Sequence, residues 1–382
     1  MMKIYLCLWW VKMNNMSIYR IIGDIKMNKK IYINILSNKY INVLFTIFIS
    51  MFIGALVILI MGHNPIDAYI QLFRASFIGK LNLGTTLEKF VPLFLTAMAF
   101  AVSSKVGIFN VGVEGELYLG AIVTAWAGVF FKFLPFPLHF ITCLILSVII
   151  GSAWASIPAI LKTYWKVNEV CVTILMNYIA IYITSYLVNG PLSAKTGVAR
   201  TLDVAKNITL YQFMKPSRAN LGLLIAIITA CLIFFILNKT TLGYRIKSVG
   251  LNEMHADYVG INSKKTIIFT MMFSGAIGGI AGLIEVLGVY GYFLDNFSAN
   301  LAFDGMLAAL IVKNDFKMLP FISIFLAALK SGALGMERYT GIPKSLVDTI
   351  IAIFIIFATM EILLSLVNKL KNKKTKKMEV LN

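Results

Sequence analysis

Three polar clusters interrupt an otherwise apolar chain, each where polarity needs a physical reason. In NEVCVTILMNYIAIYITSY (168–186), Glu169, Thr173 and Asn177 recur every fourth residue, with Thr184 further along the same stripe. That spacing places them on one face of a helix. Against lipid such a stripe is penalised, so two roles compete. It bonds neighbouring helices, or it lines a water-filled path for a hydroxyl-rich solute. In GIFNVGVEGELYLG (107–120), Asn110 and Glu114 share a helix face and Glu116 lies on another. A carboxylate at the bilayer centre costs about 2.5–3.5 kcal/mol, and less near a helix N-terminus, where the dipole favours negative charge. Glu114 therefore reads equally as a path or gate residue and as a cap, whereas Glu116 reads as structural.

The third cluster is the polar island TTLGYRIKSVGLNEMHADYVGIN, residues 240–262, between two apolar runs. Arg245 and Lys247 make its start basic. Asn252 is placed to cap a short helix over 253–259, and Gly260 to end it. A basic loop faces the cytoplasm. A structured helix there suits docking to a cytoplasmic partner whose motion must be transmitted. The residues assigned to that docking are Gly250, Leu251, Asn252, Glu253, Ala256, Gly260 and Ile261.

Other chemistries are excluded by what is missing. No Gly-x-x-x-x-Gly-Lys-Ser/Thr loop is present to cradle nucleotide phosphates. No Ser-His-Asp set or carboxylate dyad is visible, so the chain reads as a transport subunit and not an enzyme. Cys7, Cys143, Cys171 and Cys231 form no Cys-x-x-Cys pair, and His63, His139 and His255 are scattered. Neither a disulfide framework nor a metal site is expected.

The elements that position these clusters are membrane helices. Of 382 residues, 59% are hydrophobic and 14% charged, with mean hydropathy +0.83. The apolar runs are continuous, not alternating, which excludes a β-barrel. About ten segments between residues 41 and 367 are apolar enough for spans of roughly 20 residues. Those at 90–105 and 303–312 are short, and a re-entrant or broken segment fits either. The fold class is an all-α polytopic membrane protein. Its net charge of +18 does not indicate nucleic acid, because Lys and Arg concentrate on one side of the spans. That bias places both termini in the cytoplasm. Residues 1–40 read as a cytoplasmic extension, with Met16 and Met27 as alternative starts. Residues 368–382 form a basic tail anchoring near anionic membrane lipid.

Between the first two spans, Ile66, Tyr69, Ile70 and Phe73 make one apolar helix face on the outer surface. The outer loop 189–220 is either a rest for an extracytoplasmic partner or a connection. In SGAIGGIAGLIEVLG, Gly275 and Gly279, and Gly278 and Gly282, form Gly-x-x-x-Gly pairs for close helix packing. Glu285 lies one turn beyond and is a weaker path residue. Asp304 is placed to cap the short segment 303–312. Asp348 and Glu361 have no evident partner.

FNVGVEGELYLGA, KVNEVCVTILMNYIA, the island 240–262, SGAIGGIAGLIEVLG, FDGMLAALI and GIPKSLVDTI, taken in order, resemble the permeases of ABC importers for nucleosides and simple sugars. The branched-chain amino-acid and ribose permeases are more distant relatives. The resemblance implies a second related permease subunit and a cytoplasmic ATPase with two nucleotide-binding units. ATP and magnesium would sit in that ATPase, and no cofactor in this chain. It also implies an extracytoplasmic substrate-binding lipoprotein and a place in the bacterial cytoplasmic membrane. Under it, 252–260 becomes the coupling helix, and Asn110, Glu114, Glu169, Thr173 and Asn177 are candidates for the path. The chain departs from the family at Ile311-Val-Lys-Asn314, where a small residue and Arg-Asn are usual. A ribose or galactose importer and an ion-coupled secondary transporter are the alternatives. The latter requires paired intramembrane carboxylates or inverted broken spans.

Overall fold

The computed structural model describes residues 39–359, with side chains described over 47–353. The extension 1–38, the tail, Glu361 and Cys7 lie outside the described residues. Thirteen α-helices follow in order. They are α1 (Lys39–Ile60), α2 (Pro65–Phe77), α3 (Lys80–Lys105), α4 (Val113–Phe130), α5 (Phe136–Trp165), α6 (Glu169–Asn189), α7 (Gly222–Lys239), α8 (Thr241–Leu251), α9 (Glu253–Tyr258), α10 (Ser263–Ile284), α11 (Leu301–Ile311), α12 (Leu319–Thr340) and α13 (Ser345–Thr359). A π-helical turn, Glu285–Tyr290, continues α10. No strand forms among the described residues, only isolated bridges.

Seven helices among the described residues are long and apolar enough to cross a membrane: α3 to α7, α10 with its π turn, and α12. Among the described residues, helices stand at each apolar segment read from the sequence, the last of them described only to Thr359. Two differ from expectation in length. The segment at 90–105 is no short helix, because α3 begins at Lys80 and runs for 26 residues. Its first turns are polar, which hid them from a hydropathy reading. The segment near 303–312 is short: α11 has 11 residues, too few to cross alone.

Burial divides the bundle. In α3 and α4, 78% of the most apolar window is buried, against 22% in α5 and α7. The first pair is central, and the second presents apolar flanks outward. Helix α10 packs most extensively on α5 and α4. Backbone contact is possible there because Gly275 faces the Gly151 carbonyl and Gly279 faces the Ser147 carbonyl. A Cβ at either glycine would clash with backbone, which cannot move aside as a side chain can. Gly278 is packed against the Glu116 side chain, and Gly282 against the Leu117 carbonyl.

Helix α2 is amphipathic, with Ile66, Ile70 and Phe73 exposed and Ala68, Leu72 and Ser76 buried. The buried face packs on α12, where the Ser76 hydroxyl donates to the Ala328 carbonyl at 2.6 Å. The loop 190–221 is built onto the π turn and the segment after it. Val204 N donates to Gly291 O at 2.8 Å and Leu210 N to Leu287 O at 2.8 Å. Thr201 and Phe293 exchange bonds of 3.0 Å in each direction. The loop is thus a structured cover over this end of α10.

Candidate functional site

The chain between the π turn and α11 sets the site. Gly291 has positive φ, as do Asn296, Ala299 and Asn300. Asparagine tolerates that region; alanine does so at a cost. These turns reverse the chain so that α11 starts inside the bundle. Its N-terminal N–H groups then need acceptors. Glu114 of α4 supplies one: its Oε2 accepts from Ala302 N at 2.8 Å. Glu114 therefore caps a helix, but that helix is α11 and not its own.

Asn110 does not share a helix with Glu114, because α4 starts only at Val113. Its Nδ2 instead donates to Glu116 Oε1 at 2.8 Å and to Ser274 Oγ at 2.9 Å. The pairing predicted by four-residue spacing is replaced by Asn110 with Glu116, two residues later. The second carboxylate oxygen of Glu116 is buried without a partner.

The stripe on α6 faces the other helices. Asn177 Oδ1 accepts from Gly115 N at 2.8 Å, and its Nδ2 donates to Val111 O at 2.9 Å. Thr173 bonds back to the Glu169 carbonyl at 2.7 Å. Glu169 pairs with Lys162 at 2.7 Å. Thr184 is buried and bonds the Ile181 carbonyl. Asn177 fastens α6 to the start of α4, Glu169 ties it to α5, and the two threonines bond within α6 itself.

A cavity of about 610 Å³ lies elsewhere, between α3, the π turn, α11, α12 and α13. None of Asn110, Glu114, Glu169, Thr173 or Asn177 lines it. Its charged walls are Glu88 and Lys89 of α3, Glu285, Asp304 of α11, Lys330 of α12, and Lys344 and Asp348. Asp304, expected to cap α11, instead forms an ion pair with Lys330. The Lys89 ammonium donates to the Lys330 carbonyl at 2.9 Å. The same cavity has aromatic walls, Tyr290 and Phe297, whose ring centroids are 5.8 Å apart and edge-to-face. Phe297 also rests on Tyr118 at 5.0 Å and Phe293 at 5.5 Å. Apolar walls with a few convergent polar groups, at a volume within roughly 300–1,000 Å³, describe a small-molecule site.

Sequence reasoning ranked Glu285 low and did not single out Lys330. A signal was present: Lys330 is a lone cation inside an apolar run, and such residues mark solute pathways. Phe297 and Tyr290 carried no signal, since an aromatic residue in an apolar chain usually packs.

The polar island forms two helices at an elbow. Asn252 Oδ1 accepts from His255 N at 2.9 Å and caps α9. Gly260 adopts φ +83°. The α9 helix ends at Tyr258, slightly before the expected 259. Ala256 is buried, and the Ile261 N–H returns to its carbonyl at 2.9 Å. Asp257 accepts from both the N–H and the hydroxyl of Ser263, at 3.0 and 2.7 Å. These bonds, the backbone one foremost, hold its carboxyl below the usual range. Gly250 sits against the Lys105 carbonyl, so the elbow touches the end of α3. Leu251, Met254, Tyr258 and Val259 are exposed together. An apolar knob of this kind marks an interaction surface. Among the described residues no group of His, Cys, Asp or Glu is placed to hold a metal.

Residues 82–359 match the family described as the branched-chain amino acid transport system / permease component. The chain is 34% identical over 335 residues to the guanosine ABC transporter permease protein NupP of Bacillus subtilis (strain 168), covering 86% of this chain and 96% of that one. It is 32% identical to the nucleoside ABC transporter permease protein NupB of Lactococcus lactis subsp. cremoris (strain MG1363), covering 84% and 91%. It is 29% identical to the glucose ABC transporter permease protein TsgB13 of Haloferax volcanii, covering 82% and 85%. The chain belongs to this permease family.

Proposed function

We propose that this permease-family protein carries nucleosides inward across the bacterial cytoplasmic membrane as one subunit of an ATP-driven ABC importer. The cavity between α3, the π turn, α11, α12 and α13 is the observation that carries this reading. It combines hydrogen-bonding groups of both charge signs with two aromatic rings, the two chemistries a nucleoside presents. The nucleoside permeases at 32–34% identity over most of the chain support the same cargo.

The mechanism follows from the elements that meet at the cavity. Helix α3 reaches from Glu88 and Lys89 at the cavity to Lys105 at the α8–α9 elbow. The knob on α8–α9 docks on a separate cytoplasmic ATPase with two nucleotide-binding units, where ATP and magnesium are held. Closure of that ATPase tilts the elbow and α3 with it. The cavity walls then change their separation, and access passes from one side to the other. The polar groups hold and release hydroxyls of the solute, and no bond is made or broken. A second related permease completes the pathway, and an extracytoplasmic substrate-binding lipoprotein delivers the solute to the face covered by the loop 190–221. Both termini lie in the cytoplasm under this arrangement.

A simple-sugar cargo is the second reading, favoured by the glucose permease among the relatives. Uptake of labelled adenosine, guanosine, uridine and ribose by cells with and without the gene separates the two. The proposal expects gene-dependent nucleoside uptake that stops when ATP is depleted. Uptake that survives ATP depletion and collapses with the ion gradient contradicts it.

A further inference from the structure

We propose that Phe297 and Tyr290 form a base-recognition platform in the cavity, so that this chain itself reads the nucleobase during passage. The inference rests on the nucleoside reading above and adds the residues that make the site selective. Three observations carry it. First, both rings line the cavity while their neighbours Tyr118 and Phe293 are buried behind them. The cluster is braced on its far side, with Tyr118 and Phe293 edge-to-face at 6.2 Å. A braced ring keeps a fixed face toward the cavity and loses little freedom when a base stacks on it.

Second, the platform is held on irregular backbone. Tyr290 ends a π-helical turn, and Phe297 sits between the positive-φ residues Asn296 and Ala299. Such turns accumulate where a side chain must be aimed. The strapping bonds from Val204 to Gly291 and from Leu210 to Leu287 fix the turn from outside. Third, the wall beside the rings holds hydrogen-bond acceptors. Glu285 and Glu88 line the same cavity and offer acceptors to the donors on a base edge or a ribose. A stacking face beside acceptors suits a base joined to a polyol, whereas a free sugar uses only the acceptors. Base stacking on an aromatic ring is worth about a factor of ten or more in affinity and tolerates different bases.

The test uses the assembled transporter in membranes. Irradiation with 8-azidoadenosine is followed by mapping of the adduct on this chain. Nucleoside uptake is measured for Phe297→Leu, Tyr290→Leu and the aromatic-preserving Phe297→Trp at matched membrane levels. The expected adduct falls within residues 285–300, and excess adenosine prevents it while excess ribose does not. The expected uptake at a subsaturating adenosine concentration falls about tenfold in both leucine variants and is retained in Phe297→Trp. Should Phe297→Leu fail to reach the membrane, the adduct position and Tyr290→Leu decide the matter. An adenosine-protected adduct elsewhere in the chain, or wild-type uptake by either leucine variant, overturns the proposal. Wild-type cells that import ribose and no nucleoside overturn the nucleoside reading itself, a different result from either.

Discussion

Glu114 on α4 caps the N-terminus of α11 through a 2.8 Å bond to Ala302 N, although 188 residues separate them in sequence. That bond fixes where a helix too short to span begins, and hence where Asp304 enters the cavity. Replacing Glu114 by Ala leaves the buried Ala302 N–H unmet, at about 1–3 kcal/mol. Glu114→Ala is expected to lower the unfolding temperature of the purified transporter and to reduce uptake. Glu114→Gln, which keeps an acceptor, is expected to retain most of both. Equal stability of the two variants would remove the capping role.

The Asp304–Lys330 pair joins α11 to α12 with side chains 14% and 22% exposed. Removing one member leaves a charge without its partner in a partly buried wall, at about 3–5 kcal/mol where burial is complete and less here. Asp304→Asn and Lys330→Met are each expected to impair uptake more than the double variant. A double-mutant cycle on thermal stability measures the coupling. Strict additivity would show that the pair does not act as a unit.

The α5–α10 contact tolerates no side chain at Gly275 or Gly279, because each Cβ would meet backbone. Gly279→Val is expected to reduce the amount of folded protein in the membrane several-fold, as overpacking costs about 1–3 kcal/mol or more. Membrane immunoblotting after mild detergent extraction reads this directly. Normal levels would mean that the two helices separate more easily than their packing implies.

Ala256 is buried beneath the knob of Leu251, Met254, Tyr258 and Val259. Ala256→Glu is expected to leave the protein in the membrane but abolish uptake and loosen the ATPase. The pair Met254→Ser and Tyr258→Ser, which removes only exposed apolar surface, is expected to weaken ATPase co-purification without lowering permease levels. Unchanged co-purification would mean that the partner docks elsewhere.

Asp257 gives this elbow a pH dependence. Its folded pKa lies below the ordinary value because Ser263 donates to its carboxylate. The unfolded form then binds more protons, so the stabilisation is present above the ordinary carboxylate range and is lost as pH falls through the folded value. Amide exchange across 253–263 is expected to quicken on acidification, and Asp257→Asn to remove that dependence. An identical pH profile in the variant would contradict it.

Much of the fold was legible because a span must be a long apolar run, and such runs survive without tertiary knowledge. The Gly-x-x-x-Gly pairs at 275–282 and the cap at Asn252 were legible for a similar reason: close approach and capping depend on local sequence. The cavity was not. Asn110 and Glu114 obey helical spacing, yet α4 starts after Asn110 and its amide turns to Glu116 and Ser274. From spacing alone the α6 stripe reads as packing or as path, and the bonds to Val111 and Gly115 come from Asn177 alone of its four residues. Glu88, Glu285, Asp304 and Lys330 come from distant segments. The reversal at 291–300, the length of α3 and the packing of α12 on α3 bring them to one wall.

Thiol accessibility at Leu307, an apolar cavity-wall residue of α11, tests the placement of the path most directly. Leu307→Cys is made in a chain with Cys7, Cys143, Cys171 and Cys231 replaced, and compared with Asn177→Cys on α6. The account predicts that a hydrophilic thiol reagent labels position 307, that excess nucleoside blocks the labelling, and that ATP changes its rate. Labelling protected by nucleoside at position 177 and never at 307 would contradict it, and would return the path to the polar stripe of α6.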